Sequence, residues 1–272
     1  MKILITGHKG FIGQNLTLYL QNDHELFGYE WQEDSLPEVE GFDWVIHTGA
    51  ISSTTETDVD KVMLQNYEFS KWLFNECNTK GVNLQYASSA SVYGTGTNFA
   101  EDAPKQPQSP YAWSKYLFDR WVWGLSSRNI IVQGLRYFNV YGPLEDHKGN
   151  QASPVTKFTE QASKSGRIKL FENSDKYLRD FVFVGDVCEV HKQLLENKTP
   201  GLYNVGTGTT TSFKEVAEAI AKKYSANITE IPMPNNLKGQ YQEYTCADIT
   251  KLSTVTDIKF ATVKEYVNES TN

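Results

Sequence analysis

The sequence predicts an α/β protein of the Rossmann type: a doubly wound parallel sheet with a smaller, discontinuous C-terminal substrate domain. Short apolar runs alternate with segments of helical apolar spacing as far as Gly142, and a glycine-rich turn follows the first run. Strands that are separated by helices in this way are typical of a parallel sheet covered on both faces. Because the alternation weakens after Gly142, we expect a cofactor domain of residues 1–145 and about 181–207, and a substrate domain of residues 146–180 and 208–272.

The individual elements follow from apolar periodicity. The predicted strands span residues 2–6, 25–30, 44–47, 83–88, 130–137, 180–184 and 201–205. The predicted helices span residues 11–22, 61–80, 111–126, 153–165, 187–197, 213–224 and 262–268. Asp186 and Ser212 are expected to N-cap the helices that follow them, because their side-chain oxygens can accept hydrogen bonds from free first-turn N–H groups.

Composition excludes several classes of partner. The chain has 272 residues, a net charge of −7 and no long basic run, which argues against nucleic acid as a partner. Its 3 cysteines are widely spaced, so they offer no metal or disulfide pattern and suit a reducing cytoplasm. No segment approaches the ~20 apolar residues of a membrane span. We therefore expect a cytoplasmic protein with a small-molecule substrate.

The glycine-rich turn contains Gly7, Gly10 and Gly13, with Phe11 and Ile12 at the predicted start of the first helix. Backbone N–H groups and a helix N-terminus can approach a pyrophosphate closely where no β-carbon intervenes. A turn without a ligand is the alternative, but the position between a buried strand and an amphipathic helix favours dinucleotide binding.

The type of dinucleotide follows from charge. No Lys or Arg lies between Gly10 and Asp60, and Glu30 ends the second predicted strand. An acid at that place suits the free 2′-hydroxyl of NAD, whereas NADP needs a nearby cation. The sequence favours NAD, and NADP stays open because Lys9 or a later basic residue could meet a 2′-phosphate.

Tyr111 and Lys115 lie four residues apart, on one face of a predicted helix. A free tyrosine, with a pKa of ~10, is a poor base at neutral pH. A lysine cation and an oxidised nicotinamide ring would both favour the phenolate. Ser89, at the end of a predicted strand, can bond the reacting oxygen. These residues predict proton transfer coupled to hydride transfer, although a Tyr-Lys pair at this spacing also occurs by chance.

Several motifs share the order of a known family. They are the glycine turn, SSASVYG at 88–94, PYAWSK at 110–115, RYFNVYGP at 136–143 and RDFVFVGDV at 179–187. The chain resembles the extended short-chain dehydrogenase/reductase family over nearly its whole length. HTGAISSTTE at 47–56 and HKG at 147–149 are similar to the branch that acts on ADP-glycero-manno-heptose, a precursor of lipopolysaccharide. The resemblance implies redox-neutral inversion at C6 of the sugar, a tightly bound NAD or NADP, and a homo-oligomer.

The resemblance also implies roles for particular residues. Tyr111 and Lys148 would be the two acid/base groups that inversion requires. The implied cofactor contacts are Thr48, Gly49, Ala50, Ile51, Ser52, Asn66, Lys115 and Val140. The implied substrate contacts are Ser89, Asn139, Asn150, Lys157, Phe171, Glu172, Asn173, Ser174, Arg179 and Tyr241. The alternatives are a solvated loop lysine for Lys148, an ion pair with Asp180 or Asp186 for Arg179, and an ordinary half-buried aromatic for Tyr241.

The chain departs from the family pattern in two respects. Residues 30–43 are shorter than usual and carry no cation, which predicts a more open adenosine side. Asn150, Lys157 and Asn173 stand where the family usually has Ser, His and Gly. Another nucleotide-sugar epimerase or reductase, or a non-catalytic dinucleotide-binding module, therefore remains as an alternative. A 4,6-dehydratase is disfavoured, because Ala90-Ser91 supplies no Asp-Glu pair.

Overall fold

The computed structural model describes residues 1–32, 35–234 and 242–269. Its strands are β1 (Lys2–Thr6), β2 (Glu25–Tyr29), β3 (Trp44–His47), β4 (Asn83–Ser89), β5 (Val132–Tyr137), β6 (Asn139–Tyr141), β7 (Arg167–Phe171), β8 (Leu178–Arg179), β9 (Phe181–Phe183), β10 (Gly201–Val205), β11 (Thr211–Ser212) and β12 (Asn227–Ile231). Its α-helices are α1 (Phe11–Leu20), α2 (Val59–Val62), α3 (Phe69–Lys80), α4 (Pro110–Trp123), α5 (Pro154–Ser165), α6 (Val184–Asn197), α7 (Phe213–Tyr224) and α8 (Val263–Glu269).

Six parallel strands form the central sheet in the order β10-β5-β4-β3-β1-β2. Alternate residues of β1 serve opposite faces, as strand geometry requires. Leu4 packs in a core cluster with side chains of α3 and α4, whereas Ile3 and Ile5 pack with side chains of α1 and α6. The predicted doubly wound sheet is confirmed. Its order reverses between β1 and β3, the place where such folds bind ligands beyond the strand ends.

The predicted elements are present, with ends that shift by a few residues. The long helix predicted at 61–80 consists of α2, a π-helical segment (Met63–Glu68) and α3. The N-cap predicted at Ser212 is confirmed by a reciprocal capping box with Glu215. The N-cap predicted at Asp186 is wrong: α6 begins at Val184, and the Asp186 carboxylate accepts the Ala261 N–H at 2.8 Å instead.

A second apolar core lies among the elements that follow β6. It joins α5, α7 and α8 with the two-stranded parallel pair β7–β12. The sequence did not predict β7 or β12. Side chains of β7 alternate between buried and exposed over only a few residues, and β12 has no fully buried side chain, so neither strand shows a clear apolar pattern. In the described part of the chain, no helix is long and apolar enough to cross a membrane.

Candidate active site

The glycine turn has the geometry of a close backbone approach. Gly7 adopts a φ of +75°, and a β-carbon there would collide with the backbone of Gly49. A β-carbon on Gly13 would collide with the Gly7 carbonyl group, so helix α1 packs directly on the turn. Gly10 is the N-cap of α1 and contributes no capping side chain, which leaves first-turn N–H groups available to a ligand.

One cleft of about 430 Å³ gathers most of the predicted cofactor residues. They are Gly7, Gly10, Phe11, Ile12, Gly13, Glu30, Thr48, Gly49, Ala50, Ile51 and Ser52. Lys148 lines the same cleft, so the predicted second acid/base residue faces the glycine turn. The loop 48–52 follows β3 and the glycine turn follows β1, so two neighbouring strand ends build the cleft.

An adjoining pocket of about 290 Å³ continues the cleft past Glu30. Trp31 and Phe69 line it, with ring centroids 4.9 Å apart in an edge-to-face contact. Sequence reasoning expected an open adenosine side and missed both residues. Trp31 lies just after β2 and Phe69 is the first residue of α3, so their two rings form an aromatic wall of this pocket. The position of Trp31, next to the predicted ribose-binding acid Glu30, was the feature of the sequence that could have indicated its place in this pocket.

The Glu30 carboxylate lies at the end of β2, as predicted. It accepts the backbone N–H of Lys9 at 2.6 Å and lies 3.2 Å from Nδ1 of His8. The acid is therefore held against the glycine turn, where a ribose would approach. The side chain of Lys9 is exposed.

Asn66 lies behind the cleft and is almost fully buried. Its side chain bonds both the N–H and the carbonyl oxygen of Ile51, at 2.8 and 3.0 Å, and donates to Ser114 Oγ at 3.1 Å. Ser114 in turn donates to the carbonyl oxygen of Tyr111 at 2.7 Å. This chain of hydrogen bonds links loop 48–52, here called the cofactor loop, to helix α4.

Helix α4 places Tyr111 and Lys115 beside the end of β4. Ser109 caps the helix and Pro110 occupies its first turn, so Tyr111 follows immediately. The Lys115 ammonium donates to the Ala87 carbonyl oxygen at 2.9 Å and lies 6.0 Å from the centre of the Tyr111 ring. Tyr111 shares a hydrogen bond with Ser89, so the structure brings the three predicted residues together.

The pKa values differ from the sequence-based expectation. Burial raises the pKa of the Tyr111 phenol, and the hydrogen bond with Ser89 opposes this rise. The lowered pKa that the sequence predicted for the phenol is therefore not found in the protein without a bound cofactor. Burial also lowers the pKa of Lys115 to about 8, and the nearby Asp119 charge opposes this fall.

Sequence reasoning missed the buried pair of Asp119 and Arg136. Asp119 Oδ2 lies 2.8 Å from Arg136 Nε, and both side chains are almost fully buried. Tyr86 and Ser88 also donate to the Asp119 carboxylate, each at 2.9 Å. Asp119 lies four residues after Lys115, so the Tyr111–Lys115 spacing continues for one more turn on the same helix face.

Three of the predicted substrate residues line a third pocket, of about 310 Å³. Lys157, Phe171 and Ser174 line it, together with Phe213. Burial lowers the pKa of Lys157, the Glu145 charge opposes this fall, and the Lys148 charge adds to it. This pocket is thus electrostatically connected to the end of the cofactor cleft at which Lys148 lies.

Five further predicted substrate residues fall into three groups. Glu172 and Asn173 form the exposed turn after β7; the φ of +60° at Asn173 explains why a glycine is usual there, and asparagine tolerates it. Arg179 is buried, donates to the carbonyl oxygens of Leu178 and Gln242, and lies 5.6 Å from the Phe213 ring. The side chain of Asn150 and the whole of Tyr241 lie outside the described residues.

Asn139 and Val140 belong to β6, which pairs with β9. The Asn139 N–H donates to the Asp180 carbonyl oxygen at 3.0 Å, so backbone pairing fixes this strand. The carboxylate of Asp180 is fully used by Thr207, Gly208 and Ala247. It anchors the segments that carry Thr207, Gly208 and Ala247.

Comparisons with known proteins agree with this geometry. The model of the NAD dependent epimerase/dehydratase family matches residues 3–206. The chain is 39% identical to ADP-L-glycero-D-manno-heptose-6-epimerase of Brachyspira hyodysenteriae, over 92% of this chain and 90% of the relative. The crystal structure of the enzyme of that name from Helicobacter pylori matches with a TM-score of 0.87 and 27% identity, covering 98% of this chain and 94% of that one.

A UDP-glucose 4-epimerase of Thermus thermophilus, solved in complex with NAD, matches with a TM-score of 0.80 and 27% identity over 98% of both chains. The resemblance to extended short-chain dehydrogenases/reductases is thereby confirmed. The chain belongs to the NAD dependent epimerase/dehydratase family.

Proposed function

We propose that this protein inverts C6 of an ADP-activated glycero-manno-heptose, using a tightly bound NAD. The observation that carries the proposal is the chain of bonds Ile51–Asn66–Ser114–Tyr111, which joins the cofactor loop to the helix of Tyr111 and Lys115. A module that only binds a dinucleotide has no need of that link, nor of the Ser89–Tyr111 hydrogen bond.

The cleft fits a dinucleotide on the evidence of its glycines, since β-carbons at Gly7 and Gly13 would fill the turn. When bound there, a nicotinamide dinucleotide would supply the hydride acceptor and donor that inversion at C6 of the sugar requires. Glu30 faces the ribose and disfavours a 2′-phosphate by charge repulsion, so NAD is preferred to NADP. The Trp31 indole, packed edge-to-face against Phe69, offers an apolar surface to the adenine.

Proton transfer falls to two side chains on opposite faces of C6. Tyr111 accepts the proton of the C6 hydroxyl as the hydride leaves, which gives a ketone, and Ser89 holds the oxygen. The Lys115 ammonium favours the phenolate form of Tyr111 by charge. Lys148 serves the second face, where it delivers a proton to the oxygen as the hydride returns. The sugar loses and regains one hydride and one proton, so the reaction is redox-neutral.

The substrate's sugar and diphosphate would occupy the pocket of Lys157, Phe171 and Ser174, with Arg179 at its edge. Lys157 keeps a cation where the family usually has a histidine. Asn139, Asn150, Glu172, Asn173 and Tyr241 are proposed to complete the site, and Val140 to contact the cofactor. In this scheme Asn66 acts on the cofactor indirectly, through the loop that it holds.

The division into domains follows from the same scheme. Residues 1–145 and about 181–207 would bind the cofactor, and residues 146–180 and 208–272 the sugar nucleotide. Support comes from the separate apolar core around α5, α7 and α8. We further propose a cytoplasmic homo-oligomer in lipopolysaccharide synthesis. The exposed apolar side chains of Val59, Leu64 and Trp113 support self-association.

The test is direct. Mass spectrometry of the small molecule released on denaturation should identify NAD. The purified protein should interconvert the two C6 epimers of ADP-glycero-manno-heptose with no net consumption of cofactor. UDP-glucose, incubated in parallel, should remain unchanged. Turnover of UDP-glucose alone would assign a different sugar, and the absence of any bound or exchangeable dinucleotide would defeat the enzyme proposal.

A further inference from the structure

Glu145 is a buried carboxylate between β6 and α5 that has no role in the scheme above. Its side chain has 0% exposure. Oε1 accepts from Lys148 Nζ at 3.1 Å and from the Ser153 N–H at 2.8 Å. Oε2 accepts from the hydroxyls of Ser153 and Thr156, each at 2.7 Å. Such a set of donors makes burial of the charge tolerable.

These bonds close the turn that carries Lys148. Ser153 is the N-cap of α5, so the carboxylate ties the start of that helix to the residue that opens the 146–151 turn. The Lys148 N–H also donates to the Glu145 carbonyl oxygen, at 3.0 Å. The backbone around the turn is strained: Leu144 has a φ of +67°, a conformation that is unfavourable for a residue with a β-carbon. Strain of this kind persists where surrounding contacts fix the conformation.

The same carboxylate aims the Lys148 ammonium into the cofactor cleft. Nζ lies between Glu145 Oε1 and the ring of Phe11, 5.1 Å from the ring centre. Phe11 is the first residue of α1 and lines the cleft. A lysine side chain has four rotatable bonds and a strongly hydrated head, so without an anchor it would spread into solvent.

We propose that Glu145 is the positioning residue for Lys148, and that it fixes the ammonium toward the face of C6 opposite Tyr111. This inference rests on the proposed function. Loss of the Glu145 charge should slow only the half-reaction of the epimer whose hydroxyl faces Lys148. The epimer served by Tyr111 should be oxidised at an unchanged rate.

The first measurement is the single-turnover reduction of bound NAD by each C6 epimer. Lys148→Met should slow one epimer by about 10²–10⁴-fold, the usual contribution of one acid/base group, and Glu145→Gln should slow the same epimer by about tenfold or more. Both variants should leave the other epimer within about twofold of the wild-type rate. Thr156→Val removes a different bond to the same carboxylate and should leave both epimers unchanged. Equal slowing of both epimers, or of neither, would overturn the proposal.

The second measurement needs no substrate. The holoenzyme is treated with a lysine-selective acylating reagent, and modification of Lys148 is followed by mass spectrometry against the exposed Lys164. Glu145→Gln should raise the Lys148 rate several-fold, and Thr156→Val should not. An unchanged Lys148 rate contradicts the anchor even if the enzyme acts on another sugar, whereas a raised rate with no ADP-heptose turnover defeats only the proposed function. If Glu145→Gln does not fold, Glu145→Asp, which keeps the charge at a shorter reach, carries both measurements.

Discussion

At the scale of single residues, spacing in the sequence was enough to find the Ser-Tyr-Lys group but not its electrostatics. The four-residue interval put Tyr111 and Lys115 on one helix face, and the structure places both beside Ser89. The direction of the Tyr111 pKa depends on burial, which no local pattern reveals. Glu145 escaped notice for a similar reason, since its partners Ser153 and Thr156 lie in the next helix.

Replacement of Tyr111 by phenylalanine removes one proton-transfer group and leaves the ring in place. We expect kcat to fall by about 10²–10⁴-fold, the usual contribution of such a group. Binding of the sugar nucleotide, measured by calorimetry, should change little. Tyr116→Phe on the same helix is the matched control and should keep its activity. A Tyr111→Phe protein with wild-type turnover would remove this residue from the mechanism.

At the scale of elements, the sequence predicted best where a local rule decides the structure. The glycine turn, the capping box at Ser212 and the buried strands all follow such rules. The π-helical segment Met63–Glu68 does not, although it carries Asn66, whose amide holds the cofactor loop. The predicted start of α6 was wrong because the Asp186 carboxylate accepts a hydrogen bond from Ala261, far along the chain, and does not cap its own helix.

The packing of α1 on the glycine turn gives a prediction for this element. Gly13→Ala would drive a β-carbon into the Gly7 carbonyl group, which is backbone and cannot rotate away. We expect a loss of about 1–3 kcal/mol in the free energy of unfolding, and weaker NAD binding because the turn is displaced. Gly96→Ala is the control: its β-carbon would meet only the Tyr93 carbonyl oxygen at 3.4 Å, and its stability should be near that of the wild type. Urea unfolding of both variants measures the difference in their free energies of unfolding. Equal stability of the two would contradict close packing at Gly13.

At the scale of the whole molecule, alternation of apolar segments predicted the parallel sheet because its inner strands, such as β1 and β3, are buried and pack against helices on both faces. The later part of the chain uses two-stranded pairs with exposed faces, so its periodicity is weak. A pocket built from α5, β7 and the segment near Met233 therefore had no signature in any single stretch of sequence.

Burial of Lys115 has a consequence for global stability against pH. Its pKa is about 8 in the folded protein, against an ordinary value of 10.5. Between those values the unfolded chain binds a proton that the folded chain has released, so folding gains stability as pH rises. The cost of burying the charge is thus fully present below pH ~8 and fades toward pH ~10.5. The Lys115→Met variant should not show this increase in stability as the pH rises.

Urea unfolding of both proteins from pH 7 to 10, each refolded without dinucleotide, measures the difference. The stability of the wild type relative to Lys115→Met should increase across this range. Lys105, whose pKa is also lowered to about 8 by burial, is present in both proteins and cancels. Parallel curves would show that Lys115 is not held in a desolvated site.

The aromatic wall of Trp31 and Phe69 changes the kind of force that holds one end of the proposed cofactor. A cation that grips a phosphate or a ribose acts through a field that dissolved salt screens. A flat indole acts through contact area, which ions barely weaken and kosmotropic salts reinforce. We expect the proposed contact of the adenine with Trp31 to depend little on ionic strength, so dissolved salt should weaken dinucleotide binding at this end only slightly.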